Sequence, residues 1–261
     1  MKSLRQLILF KSNALNCSVH ADLILPPHLD INTSYPLLIL NDGQDMQTIQ
    51  ALHILEQLWS KQICKPFILI APHAKDRMNE YGVANHLDHK NRGALAVNYT
   101  QFVVNELIPQ LLVRLNLKSF DEHVIGGFSL GALSAFDIAW NNSHVFSKVI
   151  ACSGSFWWRN RDLDANYTNQ NRIMHQVVNK TEKKPALKVW LQCGTLDETA
   201  DRNKNGVIDS IDDTLDLIAE LKQKGFNQQE DLFYHEVIGG RHTMETYSLM
   251  LPHFLQWAFP K

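Results

Sequence analysis

The chain has no apolar run approaching the ~20 residues that a helix needs to cross a bilayer, so a helical membrane protein is excluded. It has almost no surplus of charge: 25 Lys and Arg stand against 27 Asp and Glu, a formal net charge of −2. No electrostatic footprint for nucleic acid or for an anionic membrane is therefore visible. Cysteine is scarce and dispersed, at Cys17, Cys64, Cys152 and Cys193. That spacing fits neither a metal knuckle nor a disulfide scaffold, and buried reduced thiols are expected. No Pro/Ser/Gly-rich linker, internal repeat or low-complexity segment divides the 261 residues, so one domain is expected. The first ten residues are basic and then apolar, but the apolar run is too short for a signal-peptide core. A first strand and a cytoplasmic location are the expectation.

What the chain does have is alternation of strands and helices. Cys17–Leu25 alternates apolar and polar positions, as a strand with one half-polar face does. Pro36–Leu40 and Phe67–Ala71 are short continuous apolar runs, the signature of strands buried on both faces. Further strands are expected at Val124–Gly126, Lys148–Ser153, Lys188–Cys193 and Leu232–Ile238. Helices are expected at Ile49–Trp59, Asn98–Leu115, from about Asp213, and at Thr243–Ala258. The pattern predicts one α/β domain, its mostly parallel sheet covered by helices on both faces. Pro72–Arg92 reads as a long polar connection, of the kind that covers a site.

The chemistry is carried by Gly127-Phe128-Ser129-Leu130-Gly131, between an apolar run and a helix rich in small residues. A serine on a sharp strand-to-helix turn has its hydroxyl lifted clear of its own backbone, and glycines at both flanks permit the turn. A serine hydroxyl needs a base to take its proton and a carboxylate to orient that base. Asp197 follows one predicted strand, with Glu198 as the neighbour that could replace it. His242 follows Gly239-Gly240 after the last strand, a setting that His235 and His253 lack. The order Ser, Asp, His is that of α/β-hydrolases. The backbone N–H of Leu130 and that of Gln44, in the Asn41-Asp42-Gly43-Gln44-Asp45 turn, are the candidate donors to a developing oxyanion. Ser155, Phe156, Trp157 and Trp158 follow the next strand and are candidates for the pocket wall. Arg77, Glu80 and Tyr81 are weaker candidates for substrate contact.

The stretches Leu40–Asp45, Gly126–Gly131, Ser153–Trp158 and Gly239–His242 resemble the esterase family of α/β-hydrolases. That family holds enterobactin-type siderophore esterases, feruloyl and acetyl-xylan esterases, and S-formylglutathione hydrolases. The Ser-Phe-Trp-Trp run is most similar to the siderophore branch. The chain departs from many members in having Asn41 where they have Leu. The resemblance implies a single-domain α/β-hydrolase that cleaves carboxylic esters through an acyl-enzyme, with Ser129, Asp197 and His242 in the triad positions. The substrate is expected to be a small-molecule ester, with no nucleic-acid or membrane partner and a homodimer left open. Acyl transfer, thioester hydrolysis and a non-catalytic calcium-dependent binding module are the alternatives.

One further pattern stands apart. In Asp201–Asp212, oxygen-bearing side chains at Asp201, Asn203, Asn205, Asp209 and Asp212 fall at calcium-loop positions one, three, five, nine and twelve. Gly206 sits at the sharp turn, and the Val207 carbonyl takes position seven. A strand rather than a helix precedes the loop, and Asp212 stands where a bidentate Glu is usual. A structural Ca²⁺ or Mg²⁺ is expected there, with no cofactor needed for catalysis; the bland alternative is a solvated acidic turn capping the next helix.

Overall fold

The computed structural model describes residues 4–261, so the first three residues of the expected opening strand lie outside it. β1 (Leu4–Ser12), β2 (Cys17–Leu25), β3 (Tyr35–Leu40), β4 (Ile68–Pro72), β5 (Phe120–Phe128), β6 (Lys148–Cys152), β7 (Lys188–Leu196) and β8 (Leu232–Arg241) form one sheet. Its order is β1-β2-β4-β3-β5-β6-β7-β8. β1 and β2 run antiparallel at one edge, and β4, β3, β5, β6, β7 and β8 are parallel. The parallel strands therefore deliver their carboxyl ends to one rim, where sites on such sheets collect.

The period of two sorts the core into two layers. Leu37, Ile39, Ile70, Ile125, Val149 and Leu191 face one way. They pack under α3 (Ala96–Gln101), α4 (Ile108–Leu115), α5 (Leu130–Asn141), α6 (Ile173–Lys180) and α7 (Asp209–Gln223). Leu38, Leu40, Leu69, Val124 and Ile150 face the other way, under α1 (Ala51–Ser60) and α8 (Met244–Ala258). α5 is buried from Leu130 to Trp140, which explains its small residues and its lack of a polar face.

The expected helix over Asn98–Leu115 starts two residues earlier, and its middle, Phe102–Leu107, is wound as a π-helix. Pro109 stands in the first turn of α4. It has no N–H to donate and its ring crowds the carbonyl four residues back, so a wider turn before it relieves both.

The stretch after β4 is not the solvated connection that its polarity suggests. It holds a helical turn, α2 (Arg77–Glu80), and sinks Tyr81 and Val83 completely. Its polar groups are used inward. The Glu80 carboxylate accepts the amides of Lys75 and Asp76 at 3.3 and 3.0 Å. Asp88 binds the Arg92 guanidinium. Asp137, on α5, accepts the Ala84 amide at 2.9 Å, and burial pushes its carboxyl up to about 7. Among the described residues no helix is long and apolar enough to cross a membrane.

The segment leading into α7 is pinned by charge. Asp213 is fully buried and meets Arg172 Nη1 at 2.6 Å and the Arg202 guanidinium. Asp213→Ala leaves the buried Arg172 with the half-exposed Asp216 as its one remaining carboxylate partner. Loss of a buried pair in this way is expected to lower stability by about 3–5 kcal/mol, read as a shifted urea midpoint.

Candidate active site

Ser129 sits between β5 and α5 with φ 55° and ψ −123°, a strained conformation for a residue with a side chain. The strain is held by two close approaches. A Cβ on Gly127 would lie 2.5 Å from the Gly131 carbonyl, and one on Gly131 would lie 2.6 Å from Asp42 Oδ2. The Ser129 amide is tied to the Cys152 carbonyl at 3.0 Å, and its own carbonyl accepts from Ala132 and Ser155. The hydroxyl is left facing Ser155 Oγ at 3.5 Å.

Asp197 ends the turn after β7. Its Oδ2 accepts the Gly194 amide at 2.9 Å, while Oδ1 is buried without a partner. Gly194 lets the ends of β7 and β8 close together, since a Cβ there would lie 2.5 Å from both Asp197 Oδ1 and the Gly240 carbonyl. The register of β8 on β7 slips between Gly194 and Leu196, which face Val237 and Arg241. A bulge of this kind re-aims the following side chain, here His242, whose ring stands edge-on to Tyr247 at 5.8 Å.

Ser129, Asp197 and His242 line one cavity of about 300 Å³, shared with Ser153, Gly154, Ser155, Trp157, Glu198 and Ser210. Among the described residues no hydrogen bond joins Ser129 to His242 or His242 to Asp197; in ligand-free sites such bonds are often long and close when substrate arrives. His242 is open on its cavity side. The surrounding protein still lowers its pKa below 6.5 by desolvation, opposed by the Asp197 charge and reinforced by that of Arg77. Glu198 is raised, mainly by burial.

The four candidates after β6 divide. Ser155 and Trp157 line the cavity. Phe156 and Trp158 do not: both are fully buried. Phe156 packs edge-on to Phe136 of α5 at 5.6 Å, and the Trp158 ring lies against Gly82 and Gly93. Large apolar rings next to a site sink where glycines open a slot for them. The Leu130 amide begins α5 and the Gln44 amide lies in a 3₁₀ turn, Gly43–Asp45, after β3. Among the described residues neither amide donates to a backbone acceptor outside its own helix. The Gln44 side chain is exposed, and its Nε2 donates to Asp42 Oδ1 at 2.9 Å.

The Asp201–Asp212 loop is closed by its own hydrogen bonds. Asp201 accepts the Asn205 and Gly206 amides, and the Asn205 carboxamide oxygen accepts the Val207 amide. The Asn203 and Asn205 carboxamides donate to Asp212 Oδ2 at 2.8 and 2.9 Å. Asp209 Oδ1 accepts the Arg202 amide. Among the described residues no group of three or more His, Cys, Asp or Glu is gathered as a metal would need.

The family described as "Putative esterase" matches residues 12–258. YbbA, an uncharacterized protein of Bacillus subtilis (strain 168), is 22% identical over 246 residues, covering 92% of each chain. The enterobactin esterase FES from Shigella flexneri superposes with a TM-score of 0.74 at 21% identity, over 98% of this chain. This chain spans only 59% of that enzyme's length. A ferulic acid esterase superposes with the same TM-score at 14% identity, over 99% of this chain and 98% of its own. At these identities the structural likeness is one of fold.

Gly127→Ala drives a methyl into backbone, which has no rotamer to escape by. It is expected to cost about 1–3 kcal/mol or more in urea unfolding, independent of any substrate.

Proposed function

The chain belongs to the esterase family that matches residues 12–258, and from that premise we propose that it hydrolyses small carboxylic esters through an acyl-enzyme on Ser129. The observation that carries this reading is the meeting of Ser129, Asp197 and His242 in one cavity at the carboxyl ends of β5, β7 and β8. Ser129 Oγ attacks the ester carbonyl while His242 takes its proton. The carbonyl oxygen gains charge and is received by the Leu130 and Gln44 amides. His242 then protonates the departing alcohol. Water, activated by the same imidazole, releases the acid and restores Ser129. Asp197, with one oxygen spent on Gly194 and the other free, orients His242 and offsets its positive charge.

The cavity supports a small acyl group. About 300 Å³ is at the low end for ligand pockets, and serine hydroxyls, Asp197 and Glu198 line it with the Trp157 ring. Acyl length is tested with p-nitrophenyl esters. Acetate and butyrate are expected to react faster than octanoate, and Ser129→Ala to lower kcat by about 10³–10⁶-fold. Wild-type activity retained by the alanine variant refutes the assignment; acyl transfer to an added alcohol instead of water redirects it to a transferase.

The base imposes a pH limb. Because the pKa of His242 in the folded chain is below 6.5, the imidazole stays neutral somewhat below that pH. The acid limb of kcat/KM is expected to have its midpoint under 6.5. The sign for stability is the same: the unfolded chain binds the proton first, so His242's contribution is full above pH 6.5 and is lost as pH falls through its folded pKa.

For Asp201–Asp212 we propose a structural divalent cation, on the strength of the donor order alone. The two Asn carboxamides carry oxygen as well as nitrogen, so the same side chains can face a carboxylate or an ion. Calcium at about 100 times its Kd adds ~2.7 kcal/mol, or roughly 2–4 °C in melting temperature per kcal/mol. Equal melting in calcium and in EDTA would leave the loop to its own hydrogen bonds.

A further inference from the structure

We propose that Arg77 is a positioning residue that locks the loop after β3 onto the Ser129 turn, holding the amides beyond Asp42 where the oxyanion forms. The proposal rests on the hydrolase reading above.

Asp42 is nearly fully buried and has φ 66°, in the left-handed region that side chains avoid. Something must hold it there. Its carboxylate takes Arg77 through a two-pronged bond, Nε to Oδ1 at 2.9 Å and Nη2 to Oδ2 at 3.0 Å. The same Nη2 donates to the Phe128 carbonyl at 3.2 Å, the peptide group directly before Ser129. One guanidinium thus grips the loop with one edge and the elbow with another. Its face covers the Tyr81 ring at 5.5 Å.

The neighbours complete the brace. The Asp42 amide donates to the Tyr81 hydroxyl at 3.0 Å. The Asn41 carboxamide donates to the Gly131 carbonyl at 2.8 Å, and its oxygen accepts the Tyr99 hydroxyl at 2.7 Å. Loop and elbow are therefore joined at two points, Asn41 to Gly131 and Asp42 through Arg77 to Phe128, while the Asp42 amide ties the loop to Tyr81 in the stretch after β4. Oxyanion donors act only when set 2.7–3.1 Å from the charged oxygen, so a loop free to drift would lose them. Lysine has the charge but not the planar fork, and cannot make both prongs and the third bond together.

Arg77 also acts on the base. The groups that bear on His242 are Asp197 from the β7 turn, which favours its charged form, and Arg77, which opposes it. Glu198 shares the cavity, and the Tyr247 ring of α8 packs against the imidazole.

The test uses the full chain with Arg77→Ala, Arg77→Lys, Asp42→Asn and the Arg77→Ala/Asp42→Asn pair, on p-nitrophenyl acetate. Arg77→Ala and Asp42→Asn are each expected to lower kcat about 10²-fold, with KM changed less than about threefold. The double variant is expected to be no worse than either single one, because both remove one interaction. Arg77→Lys is expected to keep the wild-type acid limb without recovering kcat, whereas Arg77→Ala moves that limb to higher pH. KM rising with kcat intact would put Arg77 on the substrate instead, and additive losses or wild-type kcat in Arg77→Ala would also overturn the proposal. Melting temperatures separate any loss of folding. If the wild type cleaves no ester, the hydrolase reading fails on its own. The brace is then judged by Ser129 labelling with an alkyl fluorophosphonate: slower labelling in folded Arg77→Ala upholds it, and equal rates refute it.

Discussion

The contact between Gly127 and Gly131 is the constraint on which the site depends. Only a residue without a side chain at 127 lets the end of β5 approach the first turn of α5 so closely, while the bare Gly131 makes room for Asp42, and these approaches hold Ser129 at its strained backbone angles. The strain is stored in a stretch buried on every side, from Val124 through Trp140 apart from the half-buried Ser129. A surface turn would relax it. Burial, small residues and the two-layer core are thus one requirement, and the hydroxyl's exposure to the cavity is its product.

Much of the fold was legible because it is local. Strands buried on both faces announce themselves as short apolar runs, and each run expected between β3 and β8 became a strand with ends shifted by a few residues. The order of Ser129, Asp197 and His242 was legible for the same reason: each stands directly after a strand, and a parallel sheet brings strand ends to one rim. The family match then accords with the motif stretches spread across the chain.

What could not be read depends on partners distant in sequence. Arg77 and Tyr81 lie in a stretch whose polarity suggests solvent and Tyr99 in an expected helix, yet Tyr81 and Tyr99 are fully buried and each hydroxyl meets the Asn41-Asp42 turn. No local pattern marks that. Phe156 and Trp158 looked like pocket walls because they adjoin Ser155 and Trp157; the slot for Trp158 is cut by Gly82 and Gly93, more than sixty residues upstream. In Asp201–Asp212 the spacing of oxygens was legible, but the sequence does not say that Arg202 would turn toward Asp209 and Asp213.

The sheet order has a consequence for how such a protein can diverge. β6 lies between the strand that carries Ser129 and the strand that carries Asp197, and the segment leaving it supplies Ser153, Gly154, Ser155 and Trp157 to the cavity. That segment is a wedge set between nucleophile and acid, with its outer part, from Asn160 to Asn169, largely exposed. Exchanging the Ser155 and Trp157 side chains of that segment alters what can enter the cavity while leaving the strand hydrogen bonds of β5, β7 and β8 untouched. Novelty in substrate is thereby uncoupled from inheritance of the catalytic frame: one strand's loop can drift while its neighbours on both sides stay fixed.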